Sequence, residues 1–217
     1  MLPTQKGFIE EGLVYRFYDI GVFISGLAPI PKTVLSYLSE NELREADSVI
    51  DAAERIRRLL AKAILKAELA SILHAKPSSL LFEQALRGKP FLSSSDFSWL
   101  RFSISHSGDF IAIATGLTEV GIDIEMHRPF EDPNNFLDLY FCRDEYQWFL
   151  EANDGTELEK FFALWTRKEA LLKAMGTGFS RAPETISAAG DEVIEGHWRV
   201  HTIVAPTGYS SAVSWHV

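Results

Sequence analysis

The chain has 217 residues, of which 47% are hydrophobic, 24% charged and 12% aromatic. That length suits one domain or two small ones with a real hydrophobic core, and the ordinary balance excludes a disordered segment, collagen or a coiled-coil rod. The formal net charge of −9 argues against a protein that coats nucleic acid or an anionic membrane, both of which call for a basic field.

The single cysteine, Cys142, has no partner for an internal disulfide. The opening residues lack the charged-then-apolar order of a signal peptide, and Glu10 and Glu11 follow closely. No apolar run nears the roughly 18 residues that span a bilayer. The expectation is a cytoplasmic protein.

In chain order, Tyr15 to Ile24 (YRFYDIGVFI) reads as a strand. Ser39 and Glu42 have the spacing of a capping box. Asp51 to Leu73 reads as a helix, with Ile56, Leu60, Ala63 and Ala67 at helical spacing and Pro77 beyond its end. Strand-like segments follow: Phe102 to Ser105, leading into a turn at Ser107-Gly108-Asp109, then Phe110 to Thr115 and Val120 to Glu125. An aromatic, acidic stretch runs from Phe130 to Glu159; from Glu131 to Lys160 there are nine acidic and two basic residues. A second helix is expected from about Glu159 to Met175, stopping at Gly176. A hairpin is expected from Trp198 to Val204 and Tyr209 to Val217, around Pro206-Thr207-Gly208.

Two short matches suggest an internal repeat. Ala61 to Ala67 overlays Lys168 to Ala174 with four identities, and Gly108-x-x-x-Ala112-Ile113 matches Gly208-x-x-x-Ala212-Val213 at nearly the same offset. They imply an α+β fold of two related halves, each a helix on a small, mostly antiparallel sheet. One site would lie between them.

Four constellations carry chemistry. In Gly121-Ile122-Asp123-Ile124-Glu125, strand alternation sends the two Ile side chains into a core and both carboxylates to the opposite face. That pair suits a hard cation such as Mg²⁺, and it equally suits an ordinary amphipathic edge strand. On the later helix, Phe162, Trp165, Glu169 and Leu172 fall on one stripe, so Glu169 lies among apolar side chains and calls for a cation or hydrogen bonds. Lys173 sits one turn on; a solvated surface pair is the plainer alternative. Ser103-Ile104-Ser105-His106-Ser107-Gly108 puts hydroxyls and an imidazole ahead of a turn, where they can meet phosphate. Gly88-Lys89-Pro90 is a stiff turn presenting one ammonium. Together these are the parts of a Mg-pyrophosphate site that works by positioning and charge neutralisation.

These pieces, in this order, resemble the 4′-phosphopantetheinyl transferases of the long, single-chain, surfactin-synthetase type. The resemblance spans roughly Ser39 to Ile186. It is carried most specifically by Gly121 to Glu125 with Trp165-x-x-Lys168-Glu169-Ala170-x-x-Lys173 and Gly176-x-Gly178. It implies a pseudo-dimer of two α+β halves, here divided as residues 1–118 on the nucleotide side and 119–217 carrying the metal motifs. The implied activity moves the phosphopantetheine arm of coenzyme A to a serine of an apo acyl or peptidyl carrier protein and releases adenosine 3′,5′-bisphosphate. By motif position, Asp123, Glu125 and Glu169 correspond to Mg²⁺ ligands, and Lys173, with Lys168 as the weaker candidate, to the lysine on the pyrophosphate. His106 corresponds to the phosphate-contacting histidine; Ser105, Lys89 and Pro90 line the coenzyme A pocket. Arg57 corresponds to the arginine on the nucleotide's 3′-phosphate, with Arg55 and Arg58 as neighbours in contention. Between Leu38 and Ile50, where the family often has basic residues, only Arg44 is basic. A monomer without nucleic-acid or membrane partners is expected. A non-catalytic coenzyme A-binding module and a Mg-dependent phosphohydrolase are the competing readings. The aromatics Phe130, Phe136, Tyr140, Phe141, Tyr146, Trp148 and Phe149 fit either a docking surface for a carrier helix or a core.

Overall fold

The computed structural model describes residues 3–10, 12–129, 133–151, 156–180, 182–190 and 197–217. Its elements in chain order begin with β1 (Gln5–Glu10), β2 (Leu13–Asp19), α1 (Gly21–Ile24), α2 (Lys32–Leu35), α3 (Glu40–Asp47) and α4 (Ala52–Leu73). Four strands follow: β3 (Phe82–Gln84), β4 (Pro90–Leu92), β5 (Arg101–Ser107) and β6 (Phe110–Gly116). The remainder is β7 (Val120–Met126), α5 (Pro133–Tyr140), α6 (Arg143–Glu151), α7 (Glu157–Met175), β8 (Trp198–Ile203) and β9 (Tyr209–His216). No helix among the described residues is long and apolar enough to cross a membrane.

The long helices form where the sequence supplies both a periodic apolar face and end signals. Asp51 caps α4, its carboxylate accepting from the Glu54 amide at 2.7 Å, and His74 ends it in the left-handed region (φ 51°). The Ser39–Glu42 capping box opens α3 as expected. A second box, Thr156 with Glu159, starts α7 two residues earlier than the apolar period alone indicates, and Gly176 closes it in the left-handed conformation.

The strands form two main antiparallel sheets, ordered β1-β2-β6-β5 and β7-β9-β8. The orders β2-β6-β5 and β7-β9-β8 are the same arrangement, one carrying α4 and the other α7, so the fold is the α+β pseudo-dimer expected. Strand alternation sets four layers. Tyr15, Phe17, Ala112 and Ala114 of the first sheet pack against Ile122, Ile124, Val213 and Trp215 of the second in a shared central core. Ile111 and Ile113 turn the other way, onto Leu60, Ile64 and Leu69 of α4. Ala212 likewise turns onto Ala170, Leu171 and Leu172 of α7. Ala112 thus occupies the place of Val213 rather than Ala212. The second sequence match is one residue out of register, and a one-residue slip in a strand exchanges faces.

Two other expectations change. The strand read over Tyr15 to Ile24 ends at Asp19. There the Asp19 carboxylate accepts from the Gly21 amide (2.9 Å), the Ile20 amide donates to the Asp109 carbonyl (2.8 Å), and the chain turns into α1. A local turn closed by the Asp19 side chain therefore overrides the β propensity of Val22 and Ile24. In the aromatic stretch, Leu137, Phe141, Phe161, Phe162 and Leu164 form a core of their own, with Phe136, Tyr140, Trp148, Phe149 and Trp165 packed on it. Most of those rings are packing rather than surface; Tyr146 is exposed, and Phe130 lies outside the described residues.

Gly121 fixes the distance between β7 and α7. A Cβ there would stand 2.0 Å from the Ala170 carbonyl oxygen and 2.4 Å from the Ala174 amide nitrogen, both backbone atoms that cannot swing aside. Gly121→Ala is expected to destabilise the fold by about 2 kcal/mol or more, since α7 must shift to admit the methyl. A urea unfolding curve checks it.

Candidate active site

Asp123 is the hub of the site. With Ile122 and Ile124 committed to the central core, Asp123 and Glu125 project to the α7 side of β7. The Asp123 carboxylate is only 2% exposed. Its Oδ1 accepts from the Ser105 hydroxyl at 2.7 Å and from the Lys173 ammonium at 2.6 Å, and Lys173 also donates to Ser105 at 3.0 Å. Its Oδ2 is buried and has no hydrogen-bond partner among the described residues. Burying a carboxylate oxygen without a partner is costly, so this atom calls for a positively charged group.

The neighbouring carboxylates register the same shortage of cations. Glu125 accepts from the Ser107 hydroxyl at 2.7 Å, yet burial and then the charge of Asp123 hold its carboxyl above the ordinary range. Glu169, brought onto β7 by the close approach at Gly121, is pushed up to about 7 by burial, with Asp123 and Glu125 adding to the shift against the opposing charge of Lys173. Burial opposes the charge of Lys173, but Asp123, Glu169 and Glu125 outweigh it and raise its pKa. Three carboxylates thus share the Lys173 ammonium, with the Arg128 guanidinium also acting on Glu125. Among the described residues no three acidic, His or Cys groups stand as a closed metal cage. The all-oxygen donors and the unpaired Oδ2 nevertheless fit a hard divalent cation.

The first half reaches this site through a row of serines. On β5, Phe102 and Ile104 face α4, which leaves Ser103, Ser105 and Ser107 facing β7. Ser103 accepts from the Ile122 amide and Ser107 from the Met126 amide, each at 3.1 Å, while Ser105 and Ser107 donate to the two carboxylates. Side chains of one half thereby satisfy edge-strand amides of the other. Ser103 and Ser107 stood in the quoted motif, and their alternation with Ser105 was the available signal for this seam.

Beside Ser105 and Lys173 a cleft of about 890 Å³ opens in the first half, bounded by His106, Pro90, Leu59 and α3, with Lys173 reaching its lining from α7. Burial, ahead of the nearby charges, lowers the pKa of His106 and favours the neutral imidazole.

The structure brings Asp123, Glu125, Glu169, Lys173 and Ser105 together and sets His106 and Pro90 along the adjoining cleft, while three other candidates turn elsewhere. Lys168 is fully buried away from the cleft. It pairs with the equally buried Glu145 at 2.6 Å and donates to the Pro183 and Ile186 carbonyls, which corrects its assignment to the pyrophosphate. With Arg167, which donates to the Ala188 and Gly190 carbonyls, it clasps the 183–190 segment onto α7. Lys89 sends its ammonium to Glu119 (2.6 Å) and to the Val120 and Ala174 carbonyls, bracing the entry of β7 against the end of α7. Arg57 donates to the Gly108 carbonyl (2.8 Å) and to Glu54, and Arg58, not Arg57, lines the cleft. Motif spacing places these residues near the site but does not tell which way a long side chain turns.

Two family models cover most of the chain: the 4′-phosphopantetheinyl transferase superfamily matches residues 119–215, and the N-terminal region of 4′-phosphopantetheinyl transferases matches residues 31–118. The chain is 30% identical over 161 residues to 4′-phosphopantetheinyl transferase gsp of Aneurinibacillus migulanus, covering 72% of this chain and 65% of that protein. To 4′-phosphopantetheinyl transferase HetI of a Nostoc species it is 34% identical, over 68% of this chain and 63% of the relative. To 4′-phosphopantetheinyl transferase AcpT of Salmonella typhi it is 34% identical, over 65% and 71%. The chain belongs to the 4′-phosphopantetheinyl transferase superfamily. It spans slightly less than two thirds of the length of gsp and HetI.

Two outcomes follow from the site's electrostatics. Lys168→Met strands the Glu145 carboxylate in the interior and should cost about 3–5 kcal/mol in chemical denaturation. Glu169 has a folded-state pKa raised from 4.5 to about 7, so its contribution to the stability of metal-free protein is complete below pH 4.5 and is lost as pH rises through 7. Melting curves from pH 5 to 8 should show this loss in the parent and a flatter profile in Glu169→Gln.

Proposed function

We propose that this chain transfers the 4′-phosphopantetheine arm of coenzyme A to a serine of an apo acyl or peptidyl carrier protein, releasing adenosine 3′,5′-bisphosphate. The observation that carries this reading is the buried Asp123, whose Oδ1 pairs with Lys173 while its Oδ2 has no partner among the described residues, next to a cleft that Lys173 lines. Residues 1–118 supply the nucleotide side and residues 119–217 the charged centre. The unit is a monomer acting in the cytoplasm.

Asp123, Glu125 and Glu169 would hold Mg²⁺, which when bound would supply charge neutralisation for the coenzyme A pyrophosphate. The chain's own groups do the rest. The cleft walls, Pro90 among them, orient the nucleotide, and His106 donates to a phosphate oxygen. Lys173, already aimed at Asp123 by Ser105, presents its ammonium to the charge that builds on the departing bisphosphate. The carrier serine attacks the phosphorus next to the pantetheine arm, and Glu169, directly or through a water, takes the serine proton.

Incubation of an apo carrier with coenzyme A and Mg²⁺ should add the phosphopantetheine mass to the carrier and release the bisphosphate nucleotide. No mass gain across apo carriers of fatty-acid, polyketide and peptide assembly would sink the reading. Glu169→Gln should lower kcat by about a hundredfold or more while circular dichroism stays unchanged. Near-normal turnover in that variant would remove Glu169 from the proton transfer.

A further inference from the structure

A second cavity, of about 340 Å³, opens beside β4, and Pro90 alone among its lining residues also lines the cleft. Its volume lies at the lower end of the range for small-molecule sites. Much of the lining is apolar. Leu92, Leu100 and Phe102 contribute as buried residues, and Phe91 and Phe97 as partly exposed rings.

The charged groups of the lining are Lys89, Arg101 and Glu119. Arg101 continues the row of Ser103, Ser105 and Ser107 along β5 and so faces the second half, where its Nε stands 3.1 Å from Oε1 of Glu119. Oε2 of the same carboxylate accepts from Lys89 at 2.6 Å. Lys89 has further acceptors in the Val120 and Ala174 carbonyls, whereas Glu119 is the one side-chain partner of Arg101 among the described residues. Two cations thus share one carboxylate, the inverse of the balance around Asp123. Burial lowers the pKa of Lys89 against the opposing pull of Glu119, and the charge of Arg101 lowers it further.

The Nη1 and Nη2 groups of Arg101 are left as a fork of donors on a side chain that is 39% exposed. Such a fork matches the two oxygens of a carboxylate. Ser94, whose hydroxyl caps no helix, and Ser98 line the same cavity and add hydroxyl donors. The cavity therefore suits an apolar body with one negative charge. A dianion such as phosphate carries more charge than one uncompensated cation answers, and its dehydration against the rings is costly.

We propose that this cavity binds a small organic monoanion, a carboxylate on an aromatic or short alkyl body, with Arg101 as its anion receptor. None of its charged residues lines the cleft, so the site stands whether or not the transferase reading does.

The probe is 4-phenylbutyrate, titrated into the full chain and followed by amide shifts in two-dimensional NMR. Saturable binding with a Kd of about 1 mM or tighter is expected, with the shifts centred on residues 89–102 and Glu119. Acetate, which has the head without the body, and 4-phenylbutyramide, which has the body without the charge, should each bind at least about tenfold more weakly. Arg101→Met keeps an apolar stem and should fold, because the half-exposed pair with Glu119 contributes little, and it should weaken 4-phenylbutyrate by about tenfold. No saturation by about 10 mM overturns the proposal, as do equal binding of the amide, an unchanged Kd in folded Arg101→Met, or shifts centred on His106 and Lys173. Saturating coenzyme A should leave the Kd unchanged; displacement by it overturns the proposal too, by making the cavity part of the substrate cleft. Absence of phosphopantetheine transfer from coenzyme A bears on the transferase reading alone.

Discussion

One buried carboxylate ties three parts of the molecule together. Asp123 lies on a strand of the second half, accepts from Ser105 on a strand of the first, and pairs with Lys173 on α7. Each contact offsets part of the cost of burying the charge, and none reaches Oδ2. The halves therefore meet at a point that is electrostatically incomplete. Everything around it serves to keep it so: Gly121 lets α7 approach, the serine row holds β5 against β7, and the Lys89 brace fixes the end of α7.

The first half shows what the same arrangement becomes when its charges close. On β2, Arg16 and Tyr18 face α4 as Asp123 and Glu125 face α7, and both bind Glu68, Arg16 at 3.1 Å. Lys66 stands on α4 in the place that Lys173 takes on α7, and it too has found a carboxylate, Glu42. Lys62 occupies the position of Glu169 and pairs with Glu45. One copy of the motif satisfies its own charges and becomes a wall. The other retains an excess of carboxylates and becomes a centre. That asymmetry sets the two halves apart.

The acidity of the whole chain divides along the same line. Part of the −9 lies in the segment from Glu131 to Lys160. Even there Glu145 is no surface charge, since it is buried against Lys168 and accepts from the Cys142 and Ala188 amides. Net charge counts residues and is blind to this pairing.

Local signals sufficed for much of the molecule. The capping residues Ser39 and Asp51, the apolar period of α4 and α7, the left-handed Gly176 and the alternation of Gly121 to Glu125 each act within a few residues, so the helices, the strand carrying the carboxylates and the two-half plan were legible in the chain. The direction of long side chains was not. Lys89, Lys168 and Arg57 stand in motifs that place their backbones near the centre, yet their charged ends go to Glu119, Glu145 and the Gly108 carbonyl. Those partners are distant in sequence, and only packing brings them within reach. The amino-acid sequence by itself determined which carboxylates share a face and which family the chain resembles. The tertiary structure alone decided which cations are left to answer them, because a flexible cation goes to whichever buried acceptor the fold places nearest.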